Sequence, residues 1–351
     1  MNRDDSPPQR APRTQKIARK IELLDVIYHH VTEGVMRNFV HTFPLALVCL
    51  AIPAVSSGGA FDARNVPTKA KWVAHLDFDR FVATATADAI VTRIEDGPNA
   101  VAYDTIKSIF RIDPLTDIHD VTLYGTDRED TNAVVIFDLS YRHSLLDTFL
   151  RSSHNHLGMA HGKHIVHRFD SEKNRAGRIE YETGYACLYD AHTIVYSKSP
   201  EQARAALDVL DHKVESLEKG VDELGVPRDA AFFLAALDLE VLVDPADKNT
   251  AFLKNARRLM LTLDERDDVL SCHLGVTAVS AEVAAQLTQI ASGLIAFGTL
   301  NAQKDPGKVW MANLAQKVAV TQNGARIDLR LSLPVGEVVA RIQQAPQKEW
   351  E

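Results

Sequence analysis

Residues 73–81 read VAHLDFDRF, and residues 234–242 read LAALDLEVL. Each stretch is a short apolar run, typical of a β-strand, followed directly by acidic residues that can cap a helix. Residues 193–210 (TIVYSKSPEQARAALDVL) and 273–290 (HLGVTAVSAEVAAQLTQI) form a second pair, in which a strand runs into a serine and then a helix. Strands that alternate with helices predict the α+β class, with antiparallel sheets and helices packed on one face. Ferredoxin-like layers are the simplest arrangement of this kind.

The paired stretches also indicate two related halves. The first half is expected to cover residues 61–211 and the second residues 229–345, with the charged, glycine-containing segment 212–228 as the linker between them. A divergent internal duplication explains both pairs. The alternative is that serine-capped helices follow strands in any α+β chain.

The overall composition is that of an ordinary globular protein. The chain has 351 residues, of which 46% are hydrophobic and 25% charged, and its formal net charge is -8. An acidic protein repels phosphate, and the sequence has no stripe of lysine and arginine interleaved with aromatic residues. Nucleic acid is therefore excluded as a partner.

An apolar run near the N-terminus predicts export. Residues 43–55 (FPLALVCLAIPAV) would span about 20 Å as a helix, which is too short for a bilayer core of about 30 Å. Small residues follow, with Gly58 and Ala60 at the -3 and -1 positions of a signal peptidase site. We therefore expect cleavage after Ala60, a periplasmic or secreted protein, and no stable transmembrane segment after processing. A buried helix and an uncleaved anchor are the alternatives.

The signal peptide would occupy residues 36–60, because a short basic lead-in begins at Met36. Residues 1–35 are then expected to be an upstream extension that is not native, or disordered. A genuine cytoplasmic extension is the alternative, since part of this stretch has helical spacing.

Histidines are concentrated in residues 152–169 (SSHNHLGMAHGKHIVHRF). Imidazole is the commonest metal ligand, and histidine-rich tracts can bind Zn or Cu. The spacing matches no recognised ligand pattern, and strand alternation would place two of these histidines on opposite faces of a sheet. A structural role, a metal site and a pH-responsive patch all stay open. The candidate metal ligands are His154, His156, His161, His164 and His167.

No catalytic signature is present. The sequence contains no G-x-S-x-G, G-x-G-x-x-G or Walker A motif. The acidic pairs at 77/79 and 238/240 could act as acid and base, but their position after a strand favours helix capping. Cys187 and Cys272 could form a disulfide bridge or be free buried thiols. The sequence thus predicts no catalytic residue and no cofactor other than the Zn or Cu of the histidine tract.

Three segments carry a resemblance to known proteins. Residues 66–79 (VPTKAKWVAHLDFD), 120–125 (DVTLYG) and 197–210 (SKSPEQARAALDVL) are similar to segments of a group of uncharacterised exported bacterial proteins, which open with a Val-Pro-x-x-Ala-Lys-Trp strand. The resemblance implies a signal peptide and an α+β fold, and it implies no activity.

These observations predict an exported, non-catalytic binding protein whose partner is a protein, an envelope component or a small ligand. One alternative is an extracytoplasmic metal-binding protein that uses the histidine tract. The other is an envelope hydrolase with an unrecognised site at Asp77 or His75.

Overall fold

The computed structural model describes most of the chain after residue 58. The described residues are 59–95, 107–108, 110–175, 178–220, 225, 230–242, 251–302 and 309–345. The expected extension and most of the expected signal peptide lie outside them.

The first half contains seven strands and five helices among the described residues. The strands are β1 (Trp72–Asp77), β2 (Ile118–Gly125), β3 (Ala133–Leu139), β4 (His154–His161), β5 (His164–Arg175), β6 (Arg178–Leu188) and β7 (Thr193–Ser197). The helices are α1 (Phe78–Val82), α2 (Ala85–Glu95), α3 (Pro114–Asp117), α4 (His143–Arg151) and α5 (Pro200–Leu210).

The second half has, within the described ranges, five strands and four helices. The strands are β8 (Phe232–Ala236), β9 (Ala256–Arg266), β10 (Val269–Ala278), β11 (Ala319–Asn323) and β12 (Arg326–Pro334). The helices are α6 (Leu239–Leu242), α7 (Ala281–Ala302), α8 (Val309–Lys317) and α9 (Val335–Gln344).

All described strands join one antiparallel sheet, in the order β11-β12-β10-β9-β8-β1-β2-β3-β7-β6-β5-β4. The two halves meet in its middle, where β1 pairs with β8 and Val73 lies opposite Ala235. The α+β class and the antiparallel pairing are therefore confirmed. The halves share a single sheet, so they do not form separate ferredoxin-like layers.

The order of strands repeats about the β1–β8 junction. Reading outward, β1-β2-β3-β7-β6 in the first half matches β8-β9-β10-β12-β11 in the second, and the β4–β5 hairpin is additional to the first half. Residues 73–81 and 234–242 hold equivalent places in this repeat, whereas residues 193–210 form β7–α5 and residues 273–290 form β10–α7. The second sequence pair thus reflects a local capping rule, and descent by duplication stays a prediction.

Apolar side chains pack on both faces of the sheet. On one face, α2, α4 and α9 cover a core that includes Trp72, Phe137 and Leu331 and so spans both halves. On the other face, α5 and the segment around Val66 cover a second core that includes Phe233. The expected layer of helices is thus present, and α5 adds cover on the opposite face.

One local prediction is wrong, and one open alternative is decided. The sequence predicts a helix over 250–258, but a 3-10 helix ends at Asn255 and β9 begins at Ala256, because β9 gains strand pairing along both of its edges. Cys187 and Cys272 are free, and they belong to the cores on opposite faces. Seven strand spacings separate β6 from β10, about 33 Å, which no disulfide can span.

The folded part of the chain already includes Gly59, ahead of the expected cleavage site. Its carbonyl accepts a 2.7 Å hydrogen bond from Nε2 of His75, while the Thr122 hydroxyl lies 2.9 Å from Nδ1 and donates to it. His75 is 1% exposed, and burial lowers its pKa to about 4, so the ring is neutral. Gly59 has φ of 81°, and a Cβ there would lie 2.8 Å from the carbonyl oxygen of His119. This position therefore requires glycine.

Candidate binding surface

A shallow cleft lies over β8, β9 and β10. It has a volume of about 100 Å³ and is lined in part by Arg258, Thr277 and Arg326. Pockets that enclose a small-molecule substrate usually measure about 300–1,000 Å³, so this cleft is too small for one. His75 and Asp77, which the hydrolase hypothesis names, do not line it.

Those two residues have structural roles. His75 holds Gly59, as described above, and the carboxylate of Asp77 accepts a 3.0 Å hydrogen bond from the backbone N–H of Arg80 at the start of α1. In the second half, Asp238 forms a 2.8 Å ion pair with Lys71. The helix-capping interpretation is confirmed for Asp77, and for Asp238 it stays a prediction.

Helix α7 is the most unusual element of the described fold. Its 22 residues span about 33 Å, and no charged residue occurs from Val283 to Gln303. The Ser280 hydroxyl accepts from the N–H of Val283 at its start. Ala284 and Leu287 are buried against side chains of β10 and β12, so the first two turns are fixed to the sheet. By length and composition the stretch Ala281–Leu300 could cross a membrane.

Beyond Leu287 the helix packs along α8 and exposes one apolar face to solvent. The spacing of 4, 3 and 3 residues puts four large side chains on the same side of the helix. We call these residues the apolar stripe: Ile290 (45% exposed), Leu294 (60%), Phe297 (62%) and Leu300 (61%).

The apolar stripe is large enough to matter energetically. Four big side chains exposed to about half their surface present on the order of 400 Å² of contiguous apolar area, and patches of this size are usually functional. Leaving such area in water is unfavourable by about 25 cal/mol per Å². An apolar surface that covers the stripe would recover this energy.

The charge around the stripe differs from that of the whole protein. Residues 283–317 contain three lysines and one aspartate, a net charge of +2, whereas the chain carries -8. Lys317 is paired with Glu337 at 2.7 Å. Lys304 and Lys308 follow the helix in sequence and lie outside the described residues. The whole hairpin of α7 and α8, residues 281–317, also includes Glu282 and so carries a net charge of +1, in a protein that is acidic overall.

Sequence patterns do not single out the stripe. Polar residues such as Gln286, Gln289 and Ser292 interrupt α7. Compared with the continuous apolar run at 43–55, its sequence is therefore typical of an ordinary helix of the fold. The absence of charge over 21 residues was the available signal. It does not distinguish a buried helix from an exposed one.

The five candidate metal ligands are dispersed. His161 and His164 pair with Asp208 (2.9 Å) and Asp211 (3.0 Å), near the C-terminal end of α5. The hydrogen bond from His164 is the main reason why the pKa of Asp211 lies well below its usual range. These pairs tie the β4–β5 hairpin to the body of the protein.

The other three histidines lie elsewhere on β4 and β5. His154 stacks on Tyr181 with ring centroids 4.8 Å apart. His156 Nε2 and His167 Nδ1 are 3.0 Å apart, and His167 Nε2 is 3.6 Å from Asp147 Oδ1. Within the described ranges, no three His, Cys, Asp or Glu side chains are grouped so that they could hold a metal ion. A single site made from all five histidines is therefore not assembled.

Three carboxylates lie side by side on adjacent strands. Asp77 on β1 faces Asp120 on β2, and Asp120 faces Asp138 on β3. Burial, together with the charges of Asp138 and Asp77, raises the pKa of Asp120 to about 8. Asp120 is therefore largely protonated at neutral pH.

Comparison with known proteins identifies no family. No family model matches the chain, and no curated protein matches it. Among solved structures, crystal form III of TP0453 is 11% identical, with a TM-score of 0.43 over 82% of this chain and 99% of that one. Crystal form IV of the same protein is 10% identical, with a TM-score of 0.44 over 81% and 97%. Similarity at this level carries no functional assignment.

Proposed function

We propose that the protein is an exported, non-catalytic binding protein that attaches to a lipid surface of the cell envelope through the apolar stripe of α7. The observation that carries this proposal is the stripe itself, four large apolar side chains held in solvent by a helix whose first turns are fixed to the sheet. Export rests on the signal peptide expected at residues 36–60.

A binding role agrees with the state of the candidate catalytic groups. Asp77 caps a helix and His75 is buried with both ring nitrogens engaged. The cleft over β8, β9 and β10 has a volume of about 100 Å³. None of these features offers a site in which a substrate and a free acid or base could meet.

A lipid surface fits the stripe better than a second copy of the chain. A stable dimer buries about 800 Å² on each partner, roughly twice what the stripe presents. An interfacial helix needs one apolar face inserted about 5–10 Å, and nearby lysines add attraction to anionic lipid. Lys304 and Lys308, which follow α7 in the sequence, can supply that attraction, and the hairpin of residues 281–317 carries a net charge of +1.

The stripe supports lying on a membrane and not spanning it. A transmembrane helix needs about 20 consecutive, mainly apolar residues within the hydrocarbon core. In α7 the turns that hold Ala284 and Leu287 are packed on β10 and β12. Spanning would require these buried side chains to leave the core.

The test is co-sedimentation of the purified protein with vesicles of phosphatidylethanolamine and phosphatidylglycerol. We expect binding by the natural sequence and at least a tenfold loss for the double variant Leu294→Asp/Phe297→Asp, because two charges would have to enter the apolar layer. Leu157→Asp is the matched control, since Leu157 is 54% exposed on β4 in the other half, and its binding should be unchanged.

Equal vesicle binding by the double variant and the natural protein would refute the proposal. Analytical ultracentrifugation of the same variants tests the alternative that a second copy of the chain covers the stripe. A dimer that the double variant dissociates, together with no binding to vesicles, would show that a second copy covers the stripe.

A further inference from the structure

A β-bulge at the edge of the sheet brings two histidines together. His154 pairs with Asp170 and Leu157 with Arg168, so β4 contains one residue more than β5 over this interval. Asn155 takes up the extra residue with φ of 51°. The bulge turns the next side chain, His156, towards His167 on β5, and their ring nitrogens Nε2 and Nδ1 lie 3.0 Å apart.

This separation is a hydrogen bond in the free protein, and it also lies within the range of two nitrogens that share one metal ion. Imidazole nitrogens bind Zn²⁺ at about 2.0–2.1 Å, so two of them at a bond angle of about 90–109° lie about 2.9–3.4 Å apart. We propose that His156 and His167 form a two-histidine site for a divalent first-row transition ion, preferring Cu²⁺.

The proton balance of binding is simple. In the free protein one ring donates to the other across the 3.0 Å contact. Binding requires both facing nitrogens to be unprotonated, so the ring that donated shifts its proton to its own other nitrogen, and no proton is released. His167 then carries its proton on Nε2, which faces Asp147 Oδ1 at 3.6 Å. A carboxylate behind a ligating histidine is the usual outer partner of such sites.

The surroundings set the strength and selectivity of the site. Arg151 pairs with Asp147 at 2.8 Å and offsets its charge, and His143 also acts electrostatically on His167. Since the described residues supply no third ligand, water would complete the coordination. Two imidazoles and water suit Cu²⁺ best, with weaker binding of Zn²⁺ and Ni²⁺, as the order of divalent affinities predicts.

The experiment is calorimetric titration of the whole folded protein with Cu²⁺ alone, with electron paramagnetic resonance of the loaded sample. We expect one Cu²⁺ per chain and a signal split by two nitrogens. His156→Ala should weaken binding at least tenfold, because one ligand remains. His154→Ala and His161→Ala should bind as the natural sequence does, since those rings face Tyr181 and Asp208.

His167 is buried, so a loss of binding in His167→Ala counts as evidence only if the melting temperature of the variant is unchanged. His156→Ala is the decisive variant, because His156 lies on the outermost strand, β4, where a substitution disturbs the core least. Stoichiometric binding that survives His156→Ala, or the absence of Cu²⁺ binding at 25-fold excess over the chain, would overturn the proposal. Neither outcome affects the vesicle experiment, which concerns the other half of the molecule.

Discussion

Replacing Asp120 with asparagine should stabilise the protein at neutral and alkaline pH. The carboxylate lies between Asp77 and Asp138 on neighbouring strands, and its folded-state pKa is about 8. An unfolded aspartate has a pKa of about 3.9. The folded state therefore binds the proton more tightly, and the stabilisation from that proton is complete below about pH 4 and lost as the pH rises through 8. Asparagine keeps the shape and removes the charge.

The size of the effect follows from the pKa difference. Each unit corresponds to about 1.4 kcal/mol, so a shift of about four units sets an upper limit of about 6 kcal/mol. Asp120 retains partial contact with solvent, which screens its neighbours. We expect Asp120→Asn to raise the free energy of unfolding by about 1–3 kcal/mol at pH 9, with a gain that shrinks towards pH 4.

The assay is urea denaturation at pH 4, 7 and 9, with the midpoint and slope fitted separately. Asp88→Asn is the matched control, since Asp88 is exposed on α2 and the same chemical change there should give a nearly constant difference across pH. A variant that is less stable than the natural protein at pH 9, or equally stable at every pH, would refute the reasoning.

Two further predictions concern packing and charge. Gly125→Ala should lower the free energy of unfolding by about 1–3 kcal/mol in urea denaturation, because the new Cβ would lie 2.5 Å from the Trp72 indole nitrogen; an unchanged midpoint would contradict the packing seen here. Asp211→Asn should speed amide hydrogen exchange in β4 and β5 at pH 7, because the pairs with His164 and Lys213 are lost. Since the pKa of Asp211 is lowered, this stabilisation is present above about pH 4 and fades as the pH falls further, so exchange rates that do not differ at pH 7 would argue against it.

Local sequence patterns predict the α+β class of the fold, but they do not predict which strands pair with which. Apolar runs followed by caps predict strands such as β1, β3 and β7 and the helices after them. Edge strand β4 has no such run, because histidine and glycine dominate it. Which strands pair is a property of the whole chain, so the union of the halves at β1 and β8 has no local signal.

The candidate sites show the same limit. Strand alternation separates His164 from His167, and the structure places their partners, Asp211 and His156, on opposite faces. The bulge at Asn155 that unites His156 with His167 depends on the register of two strands. For α7, the composition indicates an apolar helix. Whether its side chains are buried or exposed depends on the tertiary packing, because the contacts with β10 and β12 are made by its first turns.

The bond between His75 and Gly59 bears on the predicted cleavage after Ala60. A peptidase that cut after Ala60 would remove the acceptor of a buried imidazole N–H, at a cost of about 1–3 kcal/mol. A cut upstream of Gly59 would preserve it. The two products differ in mass by at least the residues Gly59 and Ala60, and the longer one is the more resistant to unfolding.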